Sequence, residues 1–228
     1  MIKTFYEDKY IIVCEKPVGV LSEYVTGQKN MPEMLKKQTG AYKIDTIHRL
    51  DRNVGGVMVY SKNGKATLPL AKMMANHKFT KEYLAVVYGT LKEKSGVFED
   101  YLVKDKTACK VFAIKQPNEK AKYAKLEYTV LEEANGMSLV KVKLYTGRTH
   151  QIRVQFASRG YSLVGDTKYG RQDQNDNGKT PIGLWSYHLE FKHPLFNKNL
   201  SVLSIPPVKS VFFKFKWPKN QILIENKQ

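Results

Sequence analysis

The chain has little cysteine, little acid and no long apolar run, and each shortage removes a class of protein. Its two cysteines, Cys14 and Cys109, lie among 228 residues without a CxxC spacing. A disulfide framework and a thiolate metal site are excluded, and two buried, reduced thiols in a cytoplasmic protein are expected. No stretch reaches the ~18 apolar residues of a membrane-spanning helix. The opening MIKTFYEDKYIIVCEKP has no apolar signal core and no cleavage site, so no export signal is expected. A basic amphipathic helix and a lipidation motif are also missing, which argues against a membrane partner. The five histidines, at 48, 77, 150, 188 and 193, form no HxxxH or HExxH pair and have no carboxylate cluster beside them. Each reads as a surface or satisfied core histidine, and no metal is expected. The glycine stretches NVGGVM and VGDTKYG lack the Lys-Ser/Thr of a phosphate loop, and Ser22, Ser61 and Ser162 lack a nucleophile-elbow setting.

What is abundant is positive charge. Lysine and arginine number 38 against 21 acids, a net charge of +17. Such an excess points to a polyanionic partner, because neutralising phosphates releases counterions and drives association. The apolar fraction of 42% and charged fraction of 26% are otherwise those of a globular protein. A chain of this length can bury roughly 70% of its unfolded surface. One domain over 1–228 is expected, as a monomer.

The periodicities predict an α+β fold with a mixed, mostly antiparallel sheet. KYIIVCEKPVGVLSE (9–23) begins as an apolar strand stopped by Lys-Pro. NMPEMLKKQTG (30–40) reads as a helix with Asn30 as N-cap, Pro32 in the first turn, Glu33 completing a capping box and Gly40 at the stop. GVMVYSK (56–62) and KEYLAVVYG (81–89) read as strands, and TLPLAKMMANHKF (67–79) as a helix with Pro69 in its first turn. Residues 91–125 suggest hairpins with an exposed turn at 118–125. KLEYTVLEE and SLVKVKLYTG alternate and should pair across the ANG turn at 134–136. THQIRVQFASRG (149–160) reads as a helix capped by Thr149, with Ile152 and Phe156 on one face, and RQDQNDNGK (171–179) as a polar loop. In VFFKFKWP (211–218) alternation puts Val211, Phe213, Phe215 and Trp217 on one face, before a stop at Pro218.

Three stretches could carry chemistry. In DTIHRLDRNVGGVMVYSKNG, Asp51 sits between Arg49 and Arg52, with His48 ahead of them. Tyr83 lies in KEYLAVVYG. In TGRTHQIRVQ a glycine turn leads into a helix start with Arg148, His150, Gln151 and Arg153, which can seat an anion or hold an arginine rigidly. The plainer readings are a surface ion pair, a core tyrosine and a simple phosphate contact.

Together these stretches resemble the RluA-type pseudouridine synthase family. IHRLDRNVGG is similar to its HRLD motif, KEYLAVVYG to its K-x-Y-x-A-x-V-x-G strand, and TGRTHQIRVQFASRGYSLVGDTKYG to its long third motif. SYHLEFKHP and YEDKYIIVCEKPVG match further segments, so the likeness runs over roughly residues 5–207 in the family's order. Two departures stand out. The family follows HRLD with x-x-T-S-G, where this chain has Arg52, Asn53, Val54, Gly55 and Gly56, so the hydrogen bonds of those hydroxyls must be replaced or absent. Many members also carry an N-terminal S4-type RNA-binding domain, whereas this chain begins at the catalytic domain, so RNA contacts are expected from that domain itself.

The resemblance implies the pseudouridine synthase fold, with flanking helices around a central cleft, and isomerisation of uridine to pseudouridine in structured ribosomal or transfer RNA. The reaction conserves all atoms and needs no cofactor and no metal. The target base would be flipped out of its stack. Asp51 would be the nucleophile, at C1′ of the sugar or C6 of the uracil. Tyr83 would pack on the uracil, Arg153 would pair with Asp51, and Arg49 would fill the space the base leaves. His48, Arg52, Arg148, His150 and Gln151 would contact RNA. The competing expectation is a non-catalytic RNA-binding or ribosome-assembly protein on the same fold; the presence of Asp51, Tyr83 and Arg153 together favours the enzyme.

Overall fold

The computed structural model describes residues 1–105, 107–170 and 178–217. The chain divides into two compact units: Met1–Lys81 with Trp185–Ser204, and Glu82–Leu184 with the segment from Ile205.

The first unit is α+β. Its elements are β1 (Thr4–Glu7), β2 (Ile11–Lys16), α1 (Met31–Thr39), β3 (Asp45–Thr46), β4 (Gly55–Ser61) and α2 (Gly64–Ala75). Strand β4 pairs antiparallel with β2, from Ile11↔Ser61 to Lys16↔Gly56, and with the short β3. Every residue of β4 is buried, which explains its unbroken GGVMVYS run. Helix α1 forms as its caps dictate. The Asn30 side chain accepts from the Glu33 amide at 3.0 Å, and Gly40 closes the helix at φ 68°. Glu33 answers by accepting from the Asn30 side-chain amide at 2.9 Å, a side-chain version of the capping box.

Helix α2 starts earlier than its sequence suggests. Asn63 caps it by accepting from the Lys65 amide, so Pro69 lies inside the helix, and the chain leaves at Asn76 rather than Phe79. An Asn-Gly pair reads as a turn, and here the asparagine is a cap instead.

The second unit contains β5 (Thr80–Tyr88), β6 (Ser95–Asp105), β7 (Lys110–Ile114), β8 (Lys122–Ala134), β9 (Met137–Leu144) and α3 (Gln151–Ala157). Its strands run β5-β9-β8-β6-β7, all antiparallel. The β8–β9 hairpin closes at Ala134↔Met137 with Asn135 at φ 54° and Gly136 at φ 70°, the two positive angles of a tight primed turn. Cys109, expected to be buried, is exposed near the β6–β7 turn at φ 49°, whereas Cys14 is buried and desolvation pushes its thiol far above the ordinary range.

Two sequence expectations are corrected in this unit. Helix α3 spans only seven residues, and its cap is His150 at φ 54° with no side-chain bond, not Thr149. Residues Val211–Lys214 form a 3₁₀ turn that buries Val211 and Phe212 with Phe215, rather than the alternating face. Most of the 171–179 loop, and Pro218, lie outside the described residues.

Two further strands, β10 (Leu184–Lys192) and β11 (Asn199–Leu203), complete the list. In the first unit β10 lies parallel to β4, with Trp185↔Gly55 and Ser186↔Gly56, and antiparallel to β11. Its core gathers Ile11, Val13, Val57, Val59, Leu70, Phe79, Leu189 and Phe191, with the Phe79 and Phe191 rings stacked at 4.7 Å. Among the described residues no helix is long and apolar enough to cross a membrane.

Candidate active site

Asp51 occupies a turn just before β4, closed by the Val54 amide donating to the Asp51 carbonyl at 3.0 Å. The turn is held through its main-chain groups. The Ser22 hydroxyl donates to the Leu50 carbonyl at 2.8 Å and accepts from the Leu50 amide at 3.0 Å. The Gly19 amide donates to the Arg52 carbonyl at 2.8 Å, and Arg52 Nε donates back to the Gly19 carbonyl at 3.2 Å.

Beneath them lies Lys16, the last residue of β2, with 0% of its surface exposed. Its ammonium donates to the carbonyls of Pro17 (3.0 Å), Val20 (2.7 Å) and Arg52 (3.2 Å). Three donors meet three acceptors, which satisfies a buried charge that would otherwise be costly. Burial pulls the Lys16 pKa down to about 8, with the Asp51 charge opposing the fall. Lys16 and Ser22 thus fix the loop that carries Asp51. Sequence reasoning missed Lys16 because a lysine ending a strand reads as solvent-facing. Its one signal was the Lys-Pro stop.

The flanking side chains do different work. Arg49 is exposed and rests on Glu23 at 3.1 and 3.3 Å, a surface pair that contributes little to stability. Arg52 is exposed as well. His48 is half-buried, and its Nε2 accepts from the Val59 amide at 3.1 Å. Burial, helped by the Lys81 charge, lowers its pKa to about 3, so it stays neutral at physiological pH. It anchors β4 and offers a phosphate no charge.

The lost Thr-Ser of the HRLD loop has a structural counterpart. A Cβ on Gly55 would lie 2.3 Å from the Trp185 ring, and one on Gly56, at φ 118°, would lie 2.2 Å from the Ser186 carbonyl. The indole fills the space of a side chain at 55 and donates to the Ser204 carbonyl at 2.8 Å. At Gly55 and Gly56 this turn packs directly against β10.

In the second unit, Tyr83 on β5 pairs with Val142 of β9 and is 7% exposed. Gln151 is buried. It accepts from Thr146 Oγ1 at 2.8 Å and the Arg148 amide at 3.0 Å, and donates to the Lys125 carbonyl at 3.1 Å. Arg148 Nε donates to the Tyr123 carbonyl at 2.8 Å. Gln151, proposed from sequence as an RNA contact, therefore holds the turn entering α3.

Arg153 lies in a side-chain network. Its Nε donates to Asp166 Oδ2 and its Nη2 to Asp166 Oδ1, both at 2.8 Å. The Tyr169 ring lies 5.1 Å from the guanidinium carbon. Tyr169 is itself pinned: its hydroxyl accepts from the Val111 amide at 3.0 Å and shares a 2.8 Å hydrogen bond with His150 Nδ1. Burial pushes the Asp166 pKa up, but the bonds from Arg153 and from the Tyr169 and Lys168 amides outweigh it and hold the carboxyl below its ordinary range. Asp166 and Tyr169 were not singled out from sequence. Among the described residues no group of three or more His, Cys, Asp or Glu side chains is placed to hold a metal ion.

Comparison with known proteins gives these residues a setting. A family model described as RNA pseudouridylate synthase matches residues 10–158. A protein of Aquifex aeolicus, described as an uncharacterized RNA pseudouridine synthase, is 34% identical over 210 residues, covering 85% of this chain and 66% of its own. A Helicobacter pylori protein of the same description is 30% identical over 224 residues, covering 92% and 68%. The ribosomal large subunit pseudouridine synthase D of Borreliella burgdorferi is 32% identical over 200 residues, covering 83% and 60%. The chain thus spans about two thirds of the length of these relatives. Among solved structures, human RNA pseudouridylate synthase domain containing 1 superposes with a TM-score of 0.78 at 22% identity, covering 91% of this chain and 84% of its own, which shows the fold. The chain belongs to the RNA pseudouridylate synthase family, whose reaction isomerises uridine to pseudouridine in RNA.

Proposed function

We propose that this chain, as a cytoplasmic monomer, converts uridine to pseudouridine at a flipped-out position in structured ribosomal or transfer RNA, with Asp51 as the nucleophile. The observation that carries the assignment is the Asp51 turn: three carbonyls converge on one buried ammonium, and a serine binds both backbone groups of Leu50. A loop held this firmly suits a carboxylate that must meet one atom of a substrate. In the reaction Asp51 adds at C1′ of the sugar or C6 of the uracil and is later expelled. The N1–C1′ bond breaks and a C5–C1′ bond forms, while the C5 proton passes to solvent and N1 takes one up. Tyr83 packs on the extruded uracil, and Arg153 supplies the guanidinium that answers the Asp51 charge. Arg49 and Arg52, exposed beside the turn, meet the RNA around the vacated base. Arg148 and His150, at the entry to α3, make the secondary RNA contacts.

Tritium release from unmodified ribosomal and transfer RNA transcripts carrying [5-³H]uridine tests the activity. The wild-type chain should release tritium from one class. Asp51→Asn should abolish release while RNA binding stays within about tenfold. Substantial pseudouridine formed by that variant removes the nucleophile assignment. RNA binding without tritium release by the wild type would favour the assembly-factor alternative.

A further inference from the structure

We propose that Asp166 and Tyr169 are positioning residues for Arg153, fixing the plane and the face of its guanidinium for the reaction. The inference rests on the activity proposed above and extends it to residues outside the motif that carries the nucleophile. Asp166 is 5% exposed. Its two oxygens take Nε and Nη2 of Arg153 side-on at 2.8 Å each, the bidentate geometry that fixes orientation as well as distance. The same carboxylate is tied to its own loop, since Oδ1 accepts from the Lys168 amide at 3.0 Å and the Tyr169 amide at 3.1 Å. The orienting group therefore cannot swing with the arginine.

The second constraint comes from the face. Tyr169 lies against the guanidinium and cannot rotate away easily, because Val111 and His150 both hold its hydroxyl. His150 adopts the left-handed conformation, φ 54°, unusual outside glycine, at the residue that caps α3. That backbone cost is local, and its visible return is the bond to Tyr169. Of the arginines with described ion pairs, Arg49 and Arg159 rest on acids at partly exposed sites; Arg153, with 12% side-chain exposure against a fully buried carboxylate, is the most enclosed.

The substitution Asp166→Asn separates orientation from folding. The remaining amide oxygen can keep the acceptor role toward Lys168 and Tyr169, while the new NH₂ faces the Arg153 guanidinium as donor against donor. With the full-length chain and [5-³H]uridine-labelled ribosomal and transfer RNA transcripts, Asp166→Asn should lower the single-turnover rate at saturating RNA by about 10–100-fold, with the RNA Kd changed by less than about threefold. In an Arg153→Met background the same substitution should change the rate by less than about twofold, because the group it orients is gone. Tyr169→Leu should behave in the same way with a smaller loss. A wild-type rate in Asp166→Asn, or an equal loss in both backgrounds, overturns the proposal. A wild-type rate in Arg153→Met sinks instead the role given to Arg153. Should the wild type release no tritium, the activity fails, and the ¹⁵N-edited Arg153 Nε–H resonance still decides the geometry. Slow solvent exchange in the wild type, lost in Asp166→Asn at unchanged melting temperature, supports the clamp, and fast exchange in both refutes it.

Discussion

The two units hold their candidate functional residues by different means. In the first, the Asp51 turn is tied through its backbone: Lys16, Ser22 and Gly19 bind the carbonyls and amides of residues 50 and 52, while the side chains of Arg49 and Arg52 stay exposed. In the second, Arg153 is fixed through its side chain by a carboxylate and a ring. Backbone tethering fixes where a loop lies with little regard to what it carries, so the residue at 49 can change at little cost to the turn. Side-chain tethering fixes one functional group and nothing beyond it. Loss of a tether should therefore damage folding in the first unit and catalysis in the second.

The sharpest break of that contrast is Lys16→Met. It removes the donor shared by three inward carbonyls; that of Arg52 keeps the Gly19 amide, whereas those of Pro17 and Val20 lose this donor, at roughly 1–3 kcal/mol each, less whatever water relieves. A loss of about 3 kcal/mol or more in urea unfolding is expected, together with turnover. A variant of near wild-type stability and full activity would show that the turn does not depend on its buried ammonium.

Next in size is Gly55→Ser, which restores the family's serine. Its Cβ would enter the Trp185 ring, and overpacking of this kind costs about 1–3 kcal/mol. The double variant Gly55→Ser with Trp185→Leu should recover part of that loss. No recovery would mean that the indole is not what excludes the hydroxyl.

Why some of this was legible and some was not follows from the range of the interactions. Helix α1 and the β8–β9 hairpin are specified by neighbours a few residues apart, Asn30 with Glu33 and Asn135 with Gly136, and both form as the sequence suggests. Asp51 was singled out through a motif of a few adjacent residues, HRLDR, so its proposed role needs no long-range contact to be suggested. Lys16 was hidden because its acceptors include a carbonyl 36 residues away. Asp166 was hidden because its partner stands 13 residues earlier, across the end of a helix. At 211–217 nearly every position is apolar or lysine, so period-2 spacing is present by composition alone, and tertiary packing selects Val211, Phe212 and Phe215 instead.

The most discriminating effect is in the pH dependence of the first unit. Lys16 has a folded pKa near 8 against an ordinary 10.5. Between those values the unfolded chain binds more protons at this residue than the folded chain, so its contribution to stability rises with pH across that window. Below about pH 8 both states hold the proton, and the desolvation cost is present in full. Raising the pH therefore relieves a burial cost, while the neutral amine keeps only two N–H groups for three carbonyls, a loss of about one hydrogen bond or ~1 kcal/mol in the loop. Stability and turnover should then move apart: single-turnover rates should decline above about pH 8, while the stability gap between the wild type and Lys16→Met widens up to about pH 10.5. A gap that stays constant over that range would mean that the ammonium keeps its proton there, and the tie between loop geometry and Lys16 ionisation would fall with it.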